Sequence, residues 1–425
     1  MAMARRGLFY TFLALYLREV LGLSVTATTL LASLTMIANS VSQTFIWGRI
    51  SDKYQARTSL VVIGETIAAF GYILVYFVHI HLFNVDGPVT AAYSIIVGLA
   101  LLEFFWSMSN LGWSALISDL TNSQERGKLM SIVSSIGGVG RIVGISVSGL
   151  MYDVGGEGGG FKNGTLFFFA AGIMLVSAVL IWFSTHKSER VSEDQLDSTT
   201  VNNQNAEFPT DSNSRTFHWF LVVMFIVGLG TYSILQILIF YIGLSSPIGA
   251  SSFDIVMIRN SASIVTIFAS LIAGPLSNKI GRRNTLGIGL MLTGVTPILY
   301  MLARNVQEMI LVNSLSGISM AFISVVGYLF AADLISPERR GRLFGRYNSV
   351  TYVSFGVAGT FIGGPIADYL INTGVSKADA YVTTFQVAAM ICFVGALIYG
   401  LKIKAPQKLE TQAGRAHTRK KRIFP

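Results

Sequence analysis

The chain has 425 residues, of which 52% are hydrophobic and 12% charged, whereas soluble domains carry about 25% charged residues. A mean hydropathy of +0.59 places it in lipid. One cysteine, Cys392, excludes an intramolecular disulfide and thiolate metal clusters, and the net charge of +9 falls mostly in short loops between apolar runs, where membrane topology explains it without a nucleic-acid partner.

A transmembrane helix needs about 20 mainly apolar residues. By that ruler twelve spans are expected, near 7–23, 28–47, 59–79, 91–117, 132–151, 165–184, 217–242, 253–276, 286–303, 309–332, 347–371 and 382–401. The first has the shortest uncharged run, since Arg5 and Arg6 precede it and Arg18 and Glu19 follow Leu17. The leading arginines are expected to snorkel at the near surface. No small-residue cleavage site precedes the second run, so a secretory signal is not expected.

Alternate loops differ sharply in charge. One side holds Arg49, Lys53, Arg57, Arg126, Lys128, Lys279, Arg282, Arg283, Arg339, Arg340 and Arg342. The positive-inside rule therefore puts both termini and these loops in the cytoplasm of a multi-pass cell-membrane protein. Residues 186–215 are rich in Ser, Asn, Asp and Glu and read as a cytoplasmic linker. It separates residues 1–185 from 216–405, and 406–425 form a basic tail.

The chain repeats itself. Gly48, Asp52, Lys53 and Arg57 are echoed by Gly274, Asn278, Lys279 and Arg283, 226 positions on (274 less 48). Asp119 with Arg126-Gly127-Lys128-Leu129 returns as Asp333 with Arg340-Gly341-Arg342-Leu343, and Gly149…Asp153 as Gly364…Asp368. Echoes in one order at similar displacement mark an internally duplicated membrane protein.

Two six-span halves, a central linker and a charged hairpin after the second span of each half resemble the major facilitator superfamily of secondary transporters, over almost the whole chain. That family's signature reads glycine, three residues, aspartate, basic, any, glycine, basic, basic. Gly48, Asp52, Lys53 and Arg57 match it, with Gln55 and Ala56 as departures; Gly274, Lys279, Gly281, Arg282 and Arg283 match it, with Asn278 in place of the acid. The resemblance implies an all-α membrane protein of twelve helices in two pseudo-symmetric six-helix bundles, working by alternating access. Span five also partly resembles the superfamily's glycine-rich antiporter motif, with Ile145 where that motif has proline; ordinary small-residue packing explains its glycines as readily.

The hairpin carries its own physics. A surface carboxylate flanked by arginines can make charge-assisted hydrogen bonds across a seam, so Asp119 is an expected partner for Arg57, and Asp333 for Arg282 or Arg283. The alternative is that these charges only fix topology.

An ionisable side chain near the bilayer midplane costs about 2.5 to 3.5 kcal/mol and marks a functional site by default. Glu103 and Arg141 fall at one depth and are expected either to form a permanent pair or to switch, with a proton on Glu103 or a competing substrate freeing Arg141. Arg259 has only Asp254 as an acidic candidate on its helix, and is expected either to meet substrate or to share Glu103. Glu65 is expected to snorkel or to pair at the surface. Glu103, Ser107, Asn110 and Ser114 form a polar stripe on span four, and Thr28, Thr35, Asn39 and Ser42 one on span two; both are expected to line a wet cavity.

Other chemistry fails. Gly155 to Lys162 lacks the lysine register and the Ser or Thr of a phosphate loop. His79 and His81 have no third metal ligand nearby. Trp106, Trp113 and Tyr232 could stack on a lipophilic substrate but more commonly pack or anchor. No catalytic constellation, cofactor or metal is expected. The reading is a monomeric, proton-coupled secondary transporter exporting a small organic solute. Glu103 is its proton carrier or counter-ion; Arg141, Arg259, Asn110 and Asn39 are its binding residues. The alternatives are an organic-anion or sugar porter, or a non-transporting receptor on the same fold.

Overall fold

A computed structural model describes residues 1–54, 57–120, 123–186, 211–334 and 340–403; within these, side chains including those of Asp52, Arg57 and residues 114–132 lie outside the description. The expected linker and basic tail fall almost wholly outside it too.

Twelve spans follow in order. The first is Ala2–Leu15 continued by a wider π turn, Tyr16–Val20; the second is Val25–Ser42, Gln43–Trp47 and Gly48–Tyr54; the third to sixth are Arg57–Val85, Pro88–Leu120, Ser123–Tyr152 and Thr165–His186. The seventh breaks between Asp211–Ser233 and Ile237–Gly243, and the eighth and ninth are Ser252–Ile280 and Arg282–Leu302. The tenth runs Val306–Ala321, Phe322–Val326 and Gly327–Leu334, the eleventh Arg340–Ala358, Gly359–Gly363 and Gly364–Asn372, and the twelfth Lys377–Lys402. Among the described residues, 11 of these helices are long and apolar enough to cross a membrane by length and composition. The first is the shorter exception.

Odd and even spans meet at two ends, called here the basic end, with the charged hairpins, and the far end. Helices starting at the far end carry built-in caps. Ser24 accepts from the Ala27 amide, Ser251 and Asp254 form a reciprocal capping box, Asn305 accepts from the Glu308 amide and Ser376 from the Asp379 amide. Each satisfies amides that the first turn leaves without a partner.

Outward faces are strongly apolar. Phe70, Leu74, Leu101, Phe183, Leu271, Phe361 and Leu397 are each at least 59% exposed, a pattern suited to hydrocarbon rather than water.

Glycines set the closest crossings. A Cβ on Gly144 would stand 2.0 Å from the Ala4 carbonyl oxygen, and one on Gly138 2.9 Å from Ile267 of span eight. Span five is thus wedged between span one of its own bundle and span eight of the other, as small residues permit.

Candidate functional site

Inside the first bundle lies a buried charge cluster, complete except for Arg5 Nε, which has no partner among the described residues. Arg5, with no exposed surface, donates through Nη1 to the Tyr72 hydroxyl at 2.6 Å and through both terminal nitrogens to Glu103 Oε1 at 3.3 Å. Tyr10 donates to the same oxygen at 3.1 Å, and Asn39 Nδ2 to Oε2 at 3.0 Å. Glu103 is 3% exposed. Both carboxylate oxygens therefore have donors, one of them a full cation, as a buried charge requires.

This corrects two expectations. Glu103 is not paired with Arg141, and Arg5 is not snorkelling at a surface. The reason is the depth of span one: Ala4 packs on Gly140 and Gly144 of span five, and this carries Arg5 to the level of Glu103. Arg6, half-buried, lies with its guanidinium 5.0 Å from the centre of the Trp106 ring, which Arg5 approaches at 4.5 Å.

Trp106 is 4% exposed and donates its indole N–H to Glu65 Oε1 at 3.0 Å; Ser109 donates to the same oxygen at 2.7 Å. It packs rather than presenting a stacking face. Glu65 is 1% exposed, with Oε2 buried and unpartnered, so the expected snorkelling is also corrected. Gly64 explains the burial, since a Cβ there would meet the Ser109 amide at 2.9 Å and spans three and four close over the carboxyl.

Ser114 lies outside the described side chains, but Thr28, Thr35, Asn39, Ser42, Glu103 and Ser107 of the stripes on spans two and four are buried rather than lining water. Ser42 and Ser107 share a hydrogen bond of 2.6 Å, while Thr28 and Thr35 turn back to the carbonyls of Ser24 and Leu31. The polar faces of the two helices bind each other. Asn110 is half-buried and not free.

Arg141 and Arg259 form the contrasting set. Arg141 is exposed. At about 100° per residue, it lies between the residues of span five that touch span one (Gly140, Gly144) and those that touch span eight (Gly138, Gly149). The exposed apolar residues of that helix, Ile136, Val139, Val143 and Leu150, project roughly the opposite way. Its exposure is therefore to an internal space between the bundles. Arg259 repeats the arrangement on span eight: it is half-buried, and the exposed Phe253, Met257, Ile264, Phe268 and Leu271 project away from it.

Spans five and eight pack directly, Gly138 against Ile267 and Gly149 against Val256, which brings together the helices that carry the two arginines. Neither Arg141 nor Arg259 has an ion pair among the described residues. Asp254, the expected mate of Arg259, is engaged by the amide and hydroxyl of Ser251. Arg259 Nε is buried without a partner.

The hairpins are partly visible. Arg282 pairs with Asp333 and also donates to the Leu329 carbonyl at 3.1 Å, whereas Arg283 donates to the carbonyls of Ile403 and Gly400 at 2.8 and 3.0 Å. The second-half pair thus belongs to Arg282, and Arg283 caps the end of span twelve. Asn278 and Lys279 are exposed. A Cβ on Gly48 would stand 2.9 Å from the Gln43 carbonyl oxygen, but one on Gly274 would meet open space, so close approach is not what Gly274 serves. Lys53 is exposed and not free; the expected Arg57–Asp119 contact, with Asp52, lies outside the described side chains.

His79 is fully buried, its Nε2 3.0 Å from the Tyr16 hydroxyl, and so is a core residue rather than an interfacial anchor. No group of three metal-ligating side chains occurs among the described residues. The residues not singled out from sequence are Arg5, Arg6 as a cavity cation, and the outer aspartates described below. The signals available were a charge flanking the first apolar run and the third duplicated motif.

Among the described residues, the hydrogen bonds and ion pair that join the two bundles lie from mid-depth to the far end. Asp368 accepts from the amides of Val25 and Thr26, Ser33 bonds Gly356 and Thr360, Asn260 bonds Ser146, Ser252 bonds Asp153 and Lys377 meets Glu19. The far mouth is shut.

Comparison with known proteins bears on the whole arrangement. The model of the Major Facilitator Superfamily matches residues 1–258 and 243–424. An uncharacterized MFS-type transporter of Methanocaldococcus jannaschii is 29% identical over 147 residues, and the chain spans 37% of that relative's length, using 35% of its own. Multidrug resistance protein 2 of Bacillus subtilis is 26% identical over 268 residues, 61% of this chain and 62% of that one. A bacterial homolog of the human lysosomal transporter Spinster, solved in an inward-facing and unoccupied conformation, superposes with a TM-score of 0.68 at 11% identity, covering 94% of each chain. At that identity the likeness is one of fold.

Proposed function

The chain belongs to the major facilitator superfamily, and we propose that it is an alternating-access transporter whose solute carries negative charge. The observation that supports this is the pair Arg141 and Arg259, which face one internal space from opposite bundles without an acidic partner among the described residues. Each unpaired guanidinium at this depth costs about 2.5 to 3.5 kcal/mol on insertion scales, and two of them repel. An anion between them offsets both terms. Carboxylate or phosphate oxygens suit the planar donor fork of arginine. Because one arginine comes from each bundle, a bound anion would also draw the halves together, which is the differential interaction a conformational change requires.

The positive-inside rule makes the basic end cytoplasmic, with both termini there, in the cell membrane. With the far mouth shut, the internal space is then loaded from the cytoplasm. That access, together with the multidrug relative, supports export. Proton coupling falls to Glu103, whose protonation would release Arg5 rather than Arg141 and leave the Arg5 charge uncompensated beside Trp106. Asn39, its partner on Oε2, positions the carboxylate.

A thermal-shift screen tests the reading. Carboxylates and organic phosphates at saturating concentration are expected to raise the melting temperature of the wild type and not of Arg141→Gln or Arg259→Gln. Sugars or lipophilic cations as the sole stabilisers, unaffected by either substitution, would reject an anionic solute. In proteoliposomes, an imposed pH gradient is expected to drive flux in the wild type and not in Glu103→Gln.

A further inference from the structure

The third duplicated motif, Gly149…Asp153 and Gly364…Asp368, is used by neither the arginine pair nor the basic hairpins. Each glycine lies where its span crosses the opposite bundle. A Cβ on Gly149 would stand 2.1 Å from Val256 Cγ2 of span eight, and one on Gly364 2.6 Å from Thr26 Cα of span two. One turn further on, each aspartate reaches the start of that same helix. Asp153 Oδ2 accepts from the Ser252 hydroxyl at 2.5 Å. Asp368 accepts from the Val25 and Thr26 amides through Oδ1 and Oδ2, at 2.8 Å each. Ser252 and Val25 are the first residues of their helices.

We propose that this glycine–aspartate motif is the latch of the far mouth, and that Asp153 and Asp368 are gating residues of the transport cycle. The glycine lets the two helices touch. The carboxylate then docks on the free donors and positive dipole end of a helix in the other bundle. Since every bond has one member in each bundle, it exists only while this mouth is closed, and opening must break both copies. The inference rests on the alternating-access reading but not on the charge of the solute.

The copies differ in strength. Asp368 is half-buried and holds two backbone amides, whereas Asp153 is exposed and holds one hydroxyl. The crossing of spans two and eleven is therefore the tighter half. The nearby Lys377–Glu19 ion pair, 47% and 29% exposed at its side chains, adds little.

The test uses the full chain with Cys392→Ala and spin labels on Asp86→Cys and Arg304→Cys, exposed loop positions at the far end of each bundle. Electron–electron distance measurements are expected to give a short separation, with Asp368→Ala raising the longer, open population roughly tenfold. Asp153→Ala should raise it less, and the double variant more than either. If Asp368→Ala does not fold, Asp368→Asn carries the same test with a smaller shift. A purely structural cap would lower the melting temperature and leave the distances unchanged, which overturns the latch. If Arg282→Ala at the basic end shifts the distribution while the aspartate variants do not, the latch alone fails. If no substitution at either end shifts it, alternating access fails as well.

Discussion

The first bundle's Glu103–Arg5 cluster and the Arg141–Arg259 pair both hold charge within the helices, and they solve its cost in opposite ways. Around Glu103, each oxygen has a donor, the cation has a carboxylate, a phenol and an indole face, and no surface of Arg5 is exposed. Around Arg141 and Arg259 no acidic partner stands among the described residues, and the side chains keep some exposed surface. Under the proposed function, the difference separates a charge network closed within one bundle from cations left open for a solute. Intramembrane charge that is already paired makes no demand for a ligand, so the proposal rests on charge without a partner among the described residues.

That contrast breaks most visibly at Arg5. Arg5→Ala strands the Glu103 carboxylate in the core and is expected to cost about 3 to 5 kcal/mol, seen as a large fall in melting temperature in detergent. Replacing both partners with Met is expected to recover much of it, because an apolar pair of similar volume leaves no orphaned charge. Arg141→Met or Arg259→Met should behave the other way. Removing one of two repelling cations is expected to leave stability unchanged or raise it by about 1 kcal/mol, while anion-induced stabilisation disappears. A loss of stability at Arg141 comparable with that at Arg5 would erase the distinction.

The fold was legible because its signals are local or repeated: apolar runs of membrane length, basic hairpins on alternate loops, and a motif duplicated 226 positions apart. The individual charges on spans four, five and eight were legible too. Their partners were not. Depth measured along one helix put Glu103 level with Arg141, but depth says nothing of azimuth, and Arg141 points between spans one and eight rather than toward span four. Arg5 was invisible as a partner because the groove made by Gly140 and Gly144 is plain in sequence while the helix that fills it is not. The polar stripe of span four likewise looked wet because nothing in it shows that Ser42 and Asn39 of span two stand opposite.

A smaller effect is expected at Glu65, which belongs with the bundle-holding group although it has no cation. It accepts from Trp106 and Ser109 on one oxygen and leaves the other without a partner. Glu65→Gln keeps a carbonyl acceptor and is expected to change stability by less than about 1 kcal/mol, whereas Glu65→Leu orphans two donors and should cost about 1 to 3 kcal/mol. Thermal unfolding of the two variants beside the wild type reads both changes. Equal, large losses in both variants would show that the charge itself is needed.

The smallest change belongs to the basic end, where Arg282 and Asp333 are 32% and 34% exposed at their side chains. Water and salt screen a pair of that exposure, so Arg282→Ala is expected to cost at most about 1 kcal/mol of stability. Its effect should lie instead in the balance of conformations, since Arg282 also holds the Leu329 carbonyl of span ten. The pair lies within one bundle, unlike the bonds of Asp153 and Asp368, and so can bias the basic mouth only through the span it positions. Labels across the basic end are therefore expected to move less in Arg282→Ala than labels across the far end move in Asp368→Ala. The reverse order would make the basic hairpin the principal latch and the far-end aspartates its accessory.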